Sequence, residues 1–119
     1  MLSLSSAVRV FVAVDPVDLH LSFDRLAGLV RSRLGENPLS GALFVFFNKR
    51  RDKVKIFFFD RSGYAVYYKR LESGSFEGLR PADGGQQVEV DATALTLLLE
   101  GIELKAKRRA RFELPSGRV

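Results

Sequence analysis

Residues 43–71 constrain the fold more than any other part of this chain. Two apolar runs, Leu43-Phe44-Val45-Phe46-Phe47 and Val54-Lys55-Ile56-Phe57-Phe58-Phe59, flank the polar stretch Asn48-Lys49-Arg50-Arg51-Asp52-Lys53. A third run, Tyr64-Ala65-Val66-Tyr67-Tyr68, follows Asp60-Arg61-Ser62-Gly63 and ends in Lys69-Arg70-Leu71. Aromatic and β-branched runs broken by turn residues predict strands of an antiparallel meander. Side chains alternate along the second strand, with Val54, Ile56 and Phe58 on one face and Lys53, Lys55, Phe57 and Phe59 on the other. Both faces are aromatic toward Phe59, so both should be covered there, and Lys53 and Lys55 mark the wet end.

The meander is also basic. Residues 49–70 hold eight Lys or Arg against two Asp, a local charge of +6. A rigid sheet with such a patch suits an anionic partner, nucleic acid first among them. The formal net charge of +5 is concentrated elsewhere, because residues 105–119 alone carry six cations and one Glu, while residues 1–104 balance to zero. The body should therefore present a basic face and an acidic face, followed by a basic arm. A chain of 119 residues suits one domain. The expected division is an α+β domain over residues 1–104 and a basic, partly disordered arm over 105–119.

Outside the meander, Val8-Arg9-Val10-Phe11-Val12-Ala13-Val14 is a short strand candidate. Asp15-Pro16-Val17-Asp18 has the composition of a helix start, with a capping Asp, a Pro suited to the first position and an acidic first turn. Leu19, Phe23, Leu26, Val30 and Leu34 then recur at helical spacing, and Gly35 is a natural stop. Residues 36–41 are turn-rich, and residues 80–87 form a loop. Val88-Glu89-Val90 predicts a short edge strand. Asp91 should cap a second helix over residues 92–100, with an apolar stripe of Leu95, Leu98 and Leu99 and a stop at Gly101.

The chain offers little for catalysis. It has no Cys and one His, so thiolate ligands, disulfides and a Cys nucleophile are excluded. His20 reads as an ordinary helix residue, and Asp15, Asp18 and Asp24 as caps and solvated side chains. No phosphate-binding Gly-rich loop is present. Glu103-Leu104-Lys105 has the form of half a metal-dependent nuclease motif, with Asp83 as a distant partner, but three residues are a cheap match. No signal peptide or membrane span is evident, and a cytoplasmic protein without cofactor or metal is expected.

Several ordered motifs resemble one family. They are Phe23-Asp24-Arg25-Leu26, Asn37-Pro38-Leu39-Ser40-Gly41, the meander itself with Lys49-Arg50-Arg51-Asp52-Lys53, Asp60-Arg61-Ser62-Gly63-Tyr64, residues 68–76 and Leu98-Leu99-Glu100-Gly101. Together they resemble the Orf2 (TnpB-type) accessory proteins of the insertion-sequence-sixty-six group of bacterial mobile elements. The chain departs from the family where His20-Leu21-Ser22 replaces a basic pair and a Gly, where Phe59 replaces Trp, and where Glu77-Gly78-Leu79 replaces Trp-Pro. The resemblance implies a non-catalytic accessory role in transposition beside a separate transposase.

The fold expected from these readings is α+β. An antiparallel meander sheet of about four or five strands carries one long helix on a face and a short C-terminal helix. The residues expected to contact DNA are Lys49, Arg50, Arg51, Lys53, Lys55, Lys69 and Arg70 of the meander and Lys105, Lys107, Arg108, Arg109 and Arg111 of the arm. Tyr64, Tyr67 and Tyr68 are available for stacking, although strand aromatics usually serve a core. The alternative is a protein-interaction adaptor that recruits the transposase without binding DNA.

Overall fold

The computed structural model describes residues 7–101. Five strands and two helices follow one another as β1 (Val10–Ala13), α1 (Phe23–Ser32), β2 (Leu43–Phe47), β3 (Lys53–Asp60), β4 (Gly63–Arg70), β5 (Gln87–Val90) and α2 (Ala92–Leu99). They form one sheet in the order β4-β3-β2-β1-β5. The meander β2-β3-β4 is antiparallel, and β5 runs antiparallel to β1 at the edge.

The sheet is mixed rather than wholly antiparallel, because β1 pairs parallel with β2, Val10 beside Leu43 and Val12 beside Val45. The physical reason lies between them. Parallel neighbours need a crossover, and α1 supplies it. Both strands also read as unbroken apolar runs, and every residue of each is buried. Such runs belong to strands covered on both faces.

Two cores result. Against α1, Leu26, Ala27 and Val30 pack with Phe11, Phe44, Phe46 and Phe57. Phe11 and Phe44 stack at 5.7 Å. On the opposite face, Leu95, Leu98 and Leu99 of α2 pack with Val12, Val45, Ile56 and Phe47. Alternation along β1, β2 and β3 sends successive side chains to the two cores. Each fully buried Leu or Phe contributes about 1.5–3 kcal/mol through removal of apolar area from water.

The helix starts differ from expectation in one case. α1 is not a long helix from Asp15. It spans ten residues and begins at Phe23, with Ser22 at the N-cap and no side-chain capping bond. Residues 15–21 instead form a loop, because the Val17 N–H donates to Phe47 O at 2.9 Å, a bond to the sheet that a helical turn there would forgo. Leu19 and Leu34 are buried outside the helix, while Phe23 is 44% exposed. Gly35 does close the helix. Its φ of +66° lets the Glu36 N–H return to Val30 O at 3.0 Å. α2 begins where expected, with the Asp91 carboxylate accepting the Ala94 N–H at 2.8 Å. The arm over residues 105–119, including Lys105, Lys107, Arg108, Arg109 and Arg111, lies outside the described residues, as does Glu103.

Truncating a side chain of the α1-side core should be far more costly than truncating one beside it. Phe44→Ala is expected to lower unfolding free energy by about 3–5 kcal/mol, and Phe23→Ala to change it by less than about 0.5–1 kcal/mol. Urea titrations of the two variants measure this directly, and equal losses would show that α1 is seated otherwise.

Candidate nucleic-acid interface

The parallel pairing of β1 and β2 brings their C-terminal ends to the same edge of the sheet. The loop after β1 and the hairpin after β2 therefore emerge side by side. Two bonds hold the loop down. The first is Val17 N–H to Phe47 O; the second is Lys55 Nζ to Leu21 O at 3.1 Å. Between loop and hairpin lies an open concavity of about 430 Å³. Loop residues 16–20 line it together with Asn48, Lys49, Arg50 and Lys53 of the hairpin and Tyr68 of β4.

Asn48 shapes the hairpin. Its Oδ1 accepts the N–H groups of Asp52 and Lys53 at 3.1 and 3.0 Å, and its Nδ2 donates to Asp52 Oδ1 at 2.7 Å. The Arg51 N–H closes the turn on Asn48 O, and Arg51 takes a left-handed φ of +59°. This conformation is one that a side-chain-bearing residue adopts only when its surroundings demand it. Here the demand is visible, because Arg51 is anchored at both its backbone and its guanidinium.

The seven basic residues of the meander expected to contact DNA divide into two sets. Arg51, Lys55 and Lys69 turn inward. Arg51 donates through Nε to Phe76 O at 3.1 Å and through a terminal nitrogen to Glu77 O at 2.6 Å, while its guanidinium lies 4.3 Å above the Phe47 ring. Burial pushes the Arg51 pKa down and Glu77 opposes that shift; the group stays a cation. Lys69 Nζ donates to Leu99 O at 2.7 Å, satisfying a carbonyl at the C-terminal end of α2. Lys55, besides holding Leu21, sits 5.0 Å from the centre of the Tyr68 ring. These three cations bind loop, helix and sheet together.

Lys49, Arg50 and Arg70 are exposed, and Lys53 is half-exposed. Lys53 stands directly opposite Arg70 in the β3–β4 register. Like charges facing one another across strands oppose pairing, so an anion bound there would stabilise the sheet. The acidic groups nearby are already engaged. Asp18 accepts the His20 backbone N–H at 2.9 Å and lies 2.8 Å from His20 Nδ1. Those two bonds hold its carboxyl below the usual range. The Asn48 amide does the same for Asp52. On the far edge, Arg9 forks Glu89 with two bonds of 2.9 Å and lowers its pKa.

Sequence reasoning missed the loop wall and the exposure of Tyr68, and it placed His20 in a helix. The 53% exposure of Tyr68 follows from its place on the edge strand, on the same face as Lys53 and Lys55. Tyr64 instead packs against Phe57 at 4.8 Å, and Tyr67 packs partly buried against the α2-side core. Asp83 sits in the loop before β5, accepting the Gly85 N–H at 2.9 Å. Among the described residues no three His, Cys, Asp or Glu gather into a metal-binding group, and no helix is long and apolar enough to cross a membrane.

Two expectations follow from this geometry. Arg51→Ala should lower stability by about 2–3 kcal/mol, since it leaves two carbonyls without their charged donor, whereas Arg50→Ala should stay within about 0.5 kcal/mol. Denaturant midpoints of the pair decide it; equal values would contradict the inward role of Arg51. The lowered pKa values of Asp18, Asp52 and Glu89 mean that their stabilisation is complete above the ordinary values of 3.8 for Asp and 4.5 for Glu. It is lost as pH falls through the lower folded values. Asp52→Asn should accordingly flatten the acid limb of a melting-temperature-against-pH profile, and an unchanged limb would dismiss that contribution.

Comparison with known proteins gives the family. The sequence model of the family described as IS66 Orf2 like protein matches residues 8–109. The uncharacterized protein y4jC of Sinorhizobium fredii (strain NBRC 101917 / NGR234) is 32% identical over 116 residues, covering 98% of this chain and 97% of that protein. The uncharacterized protein y4hO of the same strain is 34% identical over 103 residues, covering 87% and 88%. No solved structure matches. The match runs through the sheet, both helices, the β1–α1 loop and the basic hairpin, and this chain belongs to the IS66 Orf2-like family of insertion-sequence proteins.

Proposed function

We propose that the protein is a non-catalytic accessory factor of transposition that binds DNA through its basic groove, beside a separate transposase. The carrying observation is the outward cation set. Lys49, Arg50 and Lys53 line one concavity, Arg70 faces Lys53 across the strands, and the carboxylates beside them are held by local hydrogen bonds. Family membership supports the transposition context. The cations of residues 105–111 add to the same attraction from the arm.

Arg51, Lys55 and Lys69 act in this reading as builders of the site. The contacts with DNA are to phosphates, which position a strand without reading its sequence. Recruitment of a transposase without DNA affinity is the outcome that would replace it.

Fluorescence anisotropy with labelled DNA across salt concentrations tests the proposal. Binding should weaken steeply with salt, since each neutralised phosphate contributes about 0.9 to the log–log slope on duplex DNA. Replacing Lys49, Arg50 and Lys53 together by Ala should reduce that slope by about 2–3. An unchanged slope would remove the groove from the interface, and absence of binding at low salt would leave the adaptor role.

A further inference from the structure

We infer that the groove accepts unpaired DNA, with one base stacked on Tyr68 and its flanking phosphates held by Lys49, Arg50 and Lys53. This deepens the DNA-binding reading and rests on it. The observation behind it is the placement of a large aromatic face among cations. Tyr68 lines the same concavity as the three cations and remains 53% exposed. Exposure of an aromatic ring is common on its own. Here one face of the ring is also engaged: the Lys55 ammonium lies over it, 5.0 Å from its centre, and Lys55 is itself tied to Leu21 O, so the base stacks on the other face. A ring held in place loses little conformational freedom when a ligand stacks on it.

The chemistry separates single strands from duplex. In a duplex the base faces are already stacked on one another, so a protein aromatic finds a free face only at an end or an unpaired position. Cations alone work the other way, since a single strand has the weaker counterion atmosphere and the shallower salt slope. A preference for single strands therefore reports the ring and not the charge. The concavity of about 430 Å³ lies within the roughly 300–1,000 Å³ of clefts that take small ligands. The Asp18 carboxylate keeps its charge at the loop wall, and its two bonds tie it to His20 within the loop. A transposition accessory factor with this groove would hold the exposed strand at an element's end while the transposase acts on it.

The test compares one labelled strand of mixed sequence with the same strand annealed to its complement, by anisotropy at moderate salt. Wild-type protein should bind the single strand more tightly. Tyr68→Ala should weaken single-strand binding about tenfold, within the range of one lost stacked base, and change duplex binding less than twofold. Tyr68→Phe keeps the ring and should retain the preference. Circular dichroism of the Ala variant checks that the fold is intact, and if that variant unfolds, Tyr68→Leu, which keeps an apolar side chain without a π-face, is read in its place and should lose the preference. Equal affinity for both forms, or equal effects of Tyr68→Ala on both, would overturn the stacking inference while DNA binding stands. Failure to bind either form would overturn both.

Discussion

The parallel pairing of β1 with β2 is the constraint on which the rest of this molecule depends. Two strands buried on both faces cannot present a functional side chain from their middles. Chemistry is displaced to their ends. Parallel direction then decides which ends coincide, and it places the loop after β1 beside the hairpin after β2. An antiparallel β1 would send that loop to the far edge, and Lys49 and Arg50 would stand alone on a hairpin tip. The rule that ligands settle at the carboxyl ends of parallel strands in open α/β sheets has the same origin.

A second consequence concerns the cations. A hairpin rich in Lys and Arg is ordinarily read as a single electrostatic patch. Here the charges do two jobs, and the division follows from which side chains have a carbonyl within reach. Arg51 reaches the backbone of Phe76 and Glu77, Lys55 that of Leu21, and Lys69 that of Leu99. Each ties a segment outside the strands to the meander. The inward cations give the groove its shape, and the outward ones give it its potential. Neutralising the whole patch in one variant would confuse a loss of folding with a loss of binding.

Much of this was legible in the sequence. Runs of aromatic residues divided by turns located β2, β3 and β4, and Asp91 and Gly35 marked a helix start and a helix stop. The parallel pair was also written there, as two unbroken apolar runs on either side of a helical pattern, but the meander drew the reading toward an antiparallel sheet. Asp15-Pro16 misled because capping composition is local, whereas the bond from Val17 to Phe47 is not. The inward turn of Arg51, Lys55 and Lys69 could not be read at all. Their partners lie 25 or more residues away, and no periodicity records such contacts. For Tyr68 the signal was present in part, since an edge strand leaves one ring uncovered, but the edge was unknown until the strand order was.

The most direct measurement is an amide chemical-shift titration of the isotope-labelled protein with a short single-stranded oligonucleotide. If the parallel pair builds the interface, shifts should appear together on both sides of the groove, at residues 17–20 and at 48–53, and at Tyr68. The far edge strand β5 and helix α2 should stay still. Shifts confined to β5 or α2, or to the hairpin without the loop, would contradict the claim that one groove unites them.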